Sequence, residues 1–101
     1  MFMDVTLLYF DDCPNWREVD THLRTLEREL RGVRVTRQIV DTAEEAQRAR
    51  FLGSPSVVVD GVDPFATSHS AVGLSCRIYD TPDGPAGSPT LGQLRAALTR
   101  E

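Results

Sequence analysis

Two thiols are available to this 101-residue chain, Cys13 within Asp11-Asp12-Cys13-Pro14-Asn15-Trp16 and Cys76 within Leu74-Ser75-Cys76-Arg77-Ile78-Tyr79. Pro14 suits the first position of a helix, so Cys13 is expected at a helix mouth. Unpaired amide N–H groups and the positive end of the helix dipole there stabilise a thiolate. Asp11 and Asp12 put negative charge beside the sulfur and oppose that effect, so the expected lowering of the thiol pKa is modest. The same carboxylates could exchange protons with a substrate, although adjacent acids at a strand end are more often only solvated. Cys13 is the candidate nucleophile or ligand. Cys76 is its one possible thiol partner. Strand alternation allows Cys76 to lie near Cys13 or to pack inward as a small hydrophobe, and inward packing is the commoner fate.

Other residues around these thiols have two readings each. Trp16 could shield the sulfur and offer a flat surface to a substrate, but it also begins an apolar helical stripe, which favours core packing. Ser54-Pro55 is expected to be a cis pair that opens a strand. Pro55 has no N–H, which leaves the adjoining backbone free to pair with a bound peptide or a thiol adduct. Arg77 and Asp80 are expected as solvated strand-end charges. His22, on the polar side of a helix, and His69, in a loop, have no partners at metal-ligand spacing, and two cysteines are too few for a structural zinc site or a disulfide scaffold. No metal site and no tightly held cofactor are expected.

The elements that must position these residues follow from periodicity. Residues 4–10, DVTLLYF, have the composition of a buried strand. From Pro14 onward, Trp16, Val19, Leu23, Leu26 and Leu30 recur at spacings of 3, 4, 3 and 4 and predict a helix of four to five turns, stopped by Gly32. VRVTRQIV then alternates Val33, Val35 and Ile39 with polar neighbours and predicts a second strand. Thr42 and Glu45 have the form of a capping box for a helix running to Gly53. Ser56 to Asp60 is a short β-branched strand ending in the Asp60-Gly61 turn signal. Residues 62–73 have no readable pattern. LSCRIY, residues 74–79, predicts a fourth strand antiparallel to the third, TPDGPAGSP is loop chemistry throughout, and Ser88 and Pro89 open a closing helix with Leu91, Leu94 and Leu98 on one face.

The resulting α/β order, β-α-β-α-β-β-α, implies one domain over residues 1–101, a central mixed sheet with helices on both faces. This order, with Asp11 to Trp16 opening the first helix and Gly53-Ser54-Pro55 opening the third strand, resembles the thioredoxin-like superfamily across nearly the whole chain. The resemblance implies that Cys13 matches the nucleophilic cysteine of a Cys-x-x-Cys motif and Pro55 the cis-proline packed against it. Trp16 stands where that motif has its second cysteine, giving a Cys-x-x-Trp variant without the local dithiol. The candidate substrate-binding residues are Asp12, Trp16, Ser54 and Pro55. The GSPSVVVDGVDPF and GLSCRIY segments are also similar to small proteins labelled alkylmercury lyase, which implies a soft-metal site of Cys13, Cys76 and Asp11 or Asp12.

A net charge of -4 disfavours nucleic acid and anionic membrane surfaces as partners, since both require clustered positive charge. No apolar run approaches the roughly 20 residues of a membrane span, and the start of the chain lacks signal-peptide form, so a cytoplasmic location is expected. All eleven basic residues are arginine, a bias better attributed to a GC-rich genome than to chemistry. The expected function is thiol–disulfide exchange or thiol-adduct chemistry at Cys13 with a protein or low-molecular-weight thiol, released by an external thiol or by Cys76. Soft-metal or organomercurial handling is the alternative. A non-catalytic binding module that recognises its partner through residues 63–73 is the third reading. Nothing in the residues sets the oligomeric state.

Overall fold

The computed structural model describes residues 3–68 and 70–99; His69 lies outside the described residues. At its centre is β1 (Met3–Tyr9), flanked by parallel β2 (Val33–Ile39) and antiparallel β3 (Ser56–Val59). The register sets Val5 opposite Val35 and Val59, and Leu7 opposite Arg37 and Val57. Asp60 and Gly61 both take positive φ (49° and 86°). Val59 and Val62 exchange hydrogen bonds of 2.7 and 3.0 Å across them, so the turn signal is realised as a two-residue hairpin turn.

Strand alternation divides β1 between two cores. Val5, Leu7 and Tyr9 pack with Val57 against helices α1 (Trp16–Glu29) and α3 (Leu91–Leu98), burying Val19, Leu23, Leu26, Leu94 and Leu98. Leu8 faces the other way, onto Val40, Phe51 and Ala46 of α2 (Ala43–Ala49). Helices therefore cover both faces of a three-stranded mixed sheet. Arg95 of α3 grips Glu29 of α1 with bonds of 2.8 and 3.0 Å, and this hydrogen bonding holds the Glu29 carboxyl below its ordinary range. No helix among the described residues is long and apolar enough to cross a membrane.

Several boundaries differ from those predicted. Helix α1 starts at Trp16 rather than Pro14. Arg17 N–H bonds the Pro14 carbonyl three residues back (3.1 Å), and the i to i−4 bonding begins with Val19 N–H on the Asn15 carbonyl (3.5 Å), which leaves Pro14 in a turn ahead of the helix. Helix α2 ends at Ala49, with Arg50 left-handed at φ 53°, and not at Gly53. Phe51 N–H returns to the Ala46 carbonyl (2.9 Å), which swings the fully buried phenyl ring under the sheet; burying an aromatic side chain outweighs another turn of exposed helix. The cap of α3 is Thr90, in a reciprocal box with Gln93. Ser88, expected as that cap, instead donates to Glu18 (2.7 Å).

The fourth strand is displaced. Within residues 74–79 only Tyr79 belongs to a strand, β4 (Tyr79–Thr81), which pairs with β5 (Gly84–Ala86) in a hairpin apart from the main sheet. Thus β5 lies inside a stretch predicted to be wholly loop. Ile39, at the end of β2, is 47% exposed. Phe51→Ala should lower the unfolding free energy by about 3–5 kcal/mol, the range for deleting a buried aromatic ring. Urea unfolding checks this as a drop in midpoint at constant slope.

Candidate functional site

Ser54 is fully buried, and three contacts hold it. Its Oγ accepts from Phe10 N–H at the end of β1 (3.2 Å). Its own N–H donates to the Ser75 carbonyl (2.8 Å) and its carbonyl accepts from Arg77 N–H (3.0 Å), which makes a parallel bridge between Ser54 and Cys76. Gly73 N–H extends the pairing to the Phe51 carbonyl (3.0 Å). Residues 73–77 thus run parallel to 51–54 and not antiparallel to β3 as expected. Gly53 permits this approach. It sits at φ 107°, and a Cβ there would stand 3.0 Å from the Ser75 oxygen and 3.1 Å from Arg77 Cβ.

The bridge carries Cys76 to Cys13. The two form a disulfide with Cα atoms 5.9 Å apart, between residues 63 positions apart in sequence. Cys76 is an exposed residue, which corrects the expectation of inward packing, whereas Cys13 is 1% exposed. Cys13 also lies ahead of α1 and not in its first turn, its N–H bonded to the Phe10 carbonyl (3.3 Å). Asn15, the N-cap of α1, makes no side-chain cap bond, and its amide lies against Gly87. The Ser54-Pro55 bond is cis, as expected. The backbone next to Pro55 is not free for a ligand, however, because the chain's own residues 75–77 occupy Ser54.

A buried polar cluster braces this crossing, and the sequence did not announce it. Arg77, expected in solvent, is 8% exposed. It holds Asp63 through two bonds (2.6 and 3.2 Å), reaches Ser56 Oγ (3.1 Å), and lies 4.6 Å over the Tyr79 ring. Tyr79 donates its hydroxyl to the Pro55 carbonyl (2.5 Å) and meets Phe65 edge-on (5.4 Å). Burial pushes the Tyr79 hydroxyl well above its ordinary 10.0, with the Arg77 charge opposing and the Asp63 charge adding. The pattern hid these residues because alternation runs against hydrophobicity here: Arg77 and Tyr79 turn inward while Ile78 is 68% exposed. A guanidinium can take the inward position only with a paired carboxylate, and that carboxylate lies in the patternless insertion.

Trp16 packs on the main core, stacked on Tyr9 at 4.2 Å, with its indole N–H unpartnered among the described residues. Asp11 and Asp12 are exposed and border a shallow cavity with Phe10, Ile39, Asp41 and Leu74. A larger cavity of about 570 Å³ lies between the insertion and residues 75–80, and Cys76 lines it. Among the described residues no group of three or more His, Cys, Asp or Glu side chains is arranged to hold a metal ion. Comparison with protein-family models, with curated proteins and with solved structures finds no match to this chain.

Asp63→Asn should cost about 3–5 kcal/mol, since it strands the buried Arg77 charge; urea unfolding at neutral pH measures the loss. The raised Tyr79 pKa carries a pH signature. The unfolded hydroxyl ionises near its ordinary 10.0 while the folded one stays protonated, so this residue's contribution is intact below that pH and is lost as pH rises above it. Absorbance titration of native protein should show one tyrosine that ionises only together with unfolding.

Proposed function

We propose that this chain is a thioredoxin-like protein that performs thiol–disulfide exchange through Cys13 and Cys76. The supporting observation is the disulfide itself. It links the turn ahead of α1 to a segment that pairs with Ser54 beside cis-Pro55. Trp16 occupies the position of a second motif cysteine, and the missing sulfur comes from residue 76 instead. The mixed α/β core, with β1 between parallel β2 and antiparallel β3 and helices on both faces, supports that family reading. The partner is a protein or low-molecular-weight thiol, and exchange needs no tightly held cofactor, since the two sulfurs accept and release the electron pair themselves.

Equilibration with glutathione buffers, read as free thiols by mass spectrometry, tests this. An exchange protein should poise between about -270 and -120 mV, the span of known exchange catalysts. A potential below about -300 mV belongs to a structural bond and would overturn the proposal. Cys13→Ser and Cys76→Ser should each abolish turnover in a disulfide-reduction assay.

The meeting of the two sulfurs also favours a second reading. The reduced pair could take a soft metal or organomercurial as substrate through two thiolates, with Asp11 or Asp12 exposed nearby as a proton source. Mercuric ion at one equivalent should then block both thiols of the reduced protein from alkylation, and loss of only one would dismiss this reading.

A further inference from the structure

The two sulfurs differ in access, and the backbone around the outer one is unfinished. Cys13 is buried to 1% exposure, and Cys76 lines the cavity of about 570 Å³ together with Ile78, Phe65, Thr67, Ser70 and Ala71. In the parallel bridge Ser54 uses its own N–H and carbonyl on residues 75 and 77. The N–H and carbonyl of Cys76 therefore point to the opposite edge, where no described residue bonds them. Ile78, two positions on and on the same side of an extended chain, is 68% exposed. This is an open strand edge with a disulfide sulfur and an apolar side chain on it, the arrangement that an added strand completes.

Charge narrows the class of strand. Arg77 is the only cation among the described residues lining the cavity, and Asp63 and Ser56 already engage it. Asp80 adds a negative charge to the same wall. Among the described residues a small thiol that carries several carboxylates finds no free counter-charge here, while an extended backbone finds a donor and an acceptor.

Resting on the exchange reading above, we infer that Cys76 is the sulfur at which exchange begins, and that its substrate is an extended cysteine-bearing polypeptide laid along the edge of residues 76–78. A substrate thiol loses its proton to solvent, and the thiolate attacks Cys76 Sγ. A bond forms between the substrate sulfur and Cys76, the Cys13–Cys76 bond breaks, and its electron pair leaves on Cys13 as thiolate. A second thiol of the same polypeptide then attacks the substrate sulfur of the mixed disulfide and frees Cys76. The polypeptide dithiol is oxidised to its disulfide, and the protein disulfide is reduced to two thiols. In the reverse direction Cys76 attacks a polypeptide disulfide and Cys13 resolves it.

The test uses an uncharged extended peptide bearing two cysteines. Oxidised wild-type protein is mixed with this peptide, quenched in acid and mapped by mass spectrometry, which needs no variant. Adduct on Cys76 is expected, and adduct on Cys13 overturns the inference. With peptide carrying an activated disulfide, Cys13→Ser should capture it through Cys76 at least about tenfold faster than Cys76→Ser does through Cys13, because access as well as acidity sets exchange rates. With rates normalised to a free model thiol, the peptide should outpace glutathione disulfide. N-methylation of its amides beside the cysteine should slow it about fivefold, the effect of losing one net hydrogen bond. Equal rates for peptide and glutathione, or indifference to N-methylation, would overturn the polypeptide assignment and leave exchange standing. A wild-type disulfide that neither peptide nor glutathione reduces would instead overturn exchange itself.

Discussion

Ser54 has one N–H and one carbonyl, and the chain spends both on its own residues 75 and 77. The rest of the site follows from that commitment. It needs a glycine at 53 so that a second strand can come within contact distance, and it turns Arg77 and Tyr79 inward and Cys76 outward. Arg77 then requires a carboxylate, which Asp63 supplies from across the insertion, and Tyr79 requires an acceptor, which is the carbonyl of Pro55. Each bond satisfies a group that the previous one buried. The cluster therefore behaves as a unit in which removing one member leaves another unsatisfied.

How much of this could be read from the residues depended on whether the determining interaction was local. The strand at 4–10, the amphipathic stripe from Val19 to Leu26, the Asp60-Gly61 turn and the Thr42 cap all rest on neighbours within a few positions, and all appear within a few residues of where they were expected. Errors concentrate where a distant residue decides. Helix α2 stops early because Phe51 has a core to fill. The segment 74–79 has strand composition but finds its partner in residues 51–54 rather than in β3, and Gly84–Ala86 forms a strand only because Tyr79–Thr81 turns back to meet it. The candidate site divides in the same way. Cys13 and cis-Pro55 carry local signals, whereas the Cys13–Cys76 bond and the Arg77–Asp63 pair are contacts between positions 63 and 14 residues apart that no short motif encodes.

The asymmetry between the sulfurs gives the exchange proposal its particular form. In a dithiol placed within one helical turn, both sulfurs belong to one element. Here one sits under the turn ahead of α1 with a helix end behind it, and the other rides on an extended segment held by three backbone bonds and one buried ion pair. In the proposed exchange the buried residue supplies the leaving group and the exposed one the point of attack, so the two fall on different elements.

The ring closed by the disulfide has a further consequence. A cross-link between positions 63 apart removes loop-closure entropy from the unfolded chain, about 4 kcal/mol on the polymer estimate, against total stabilities of about 5–15 kcal/mol for domains of ordinary size. Electrons delivered to these sulfurs therefore also shorten the distance to unfolding. Under the proposed exchange, the copy that has just been reduced is the one most open to proteolysis.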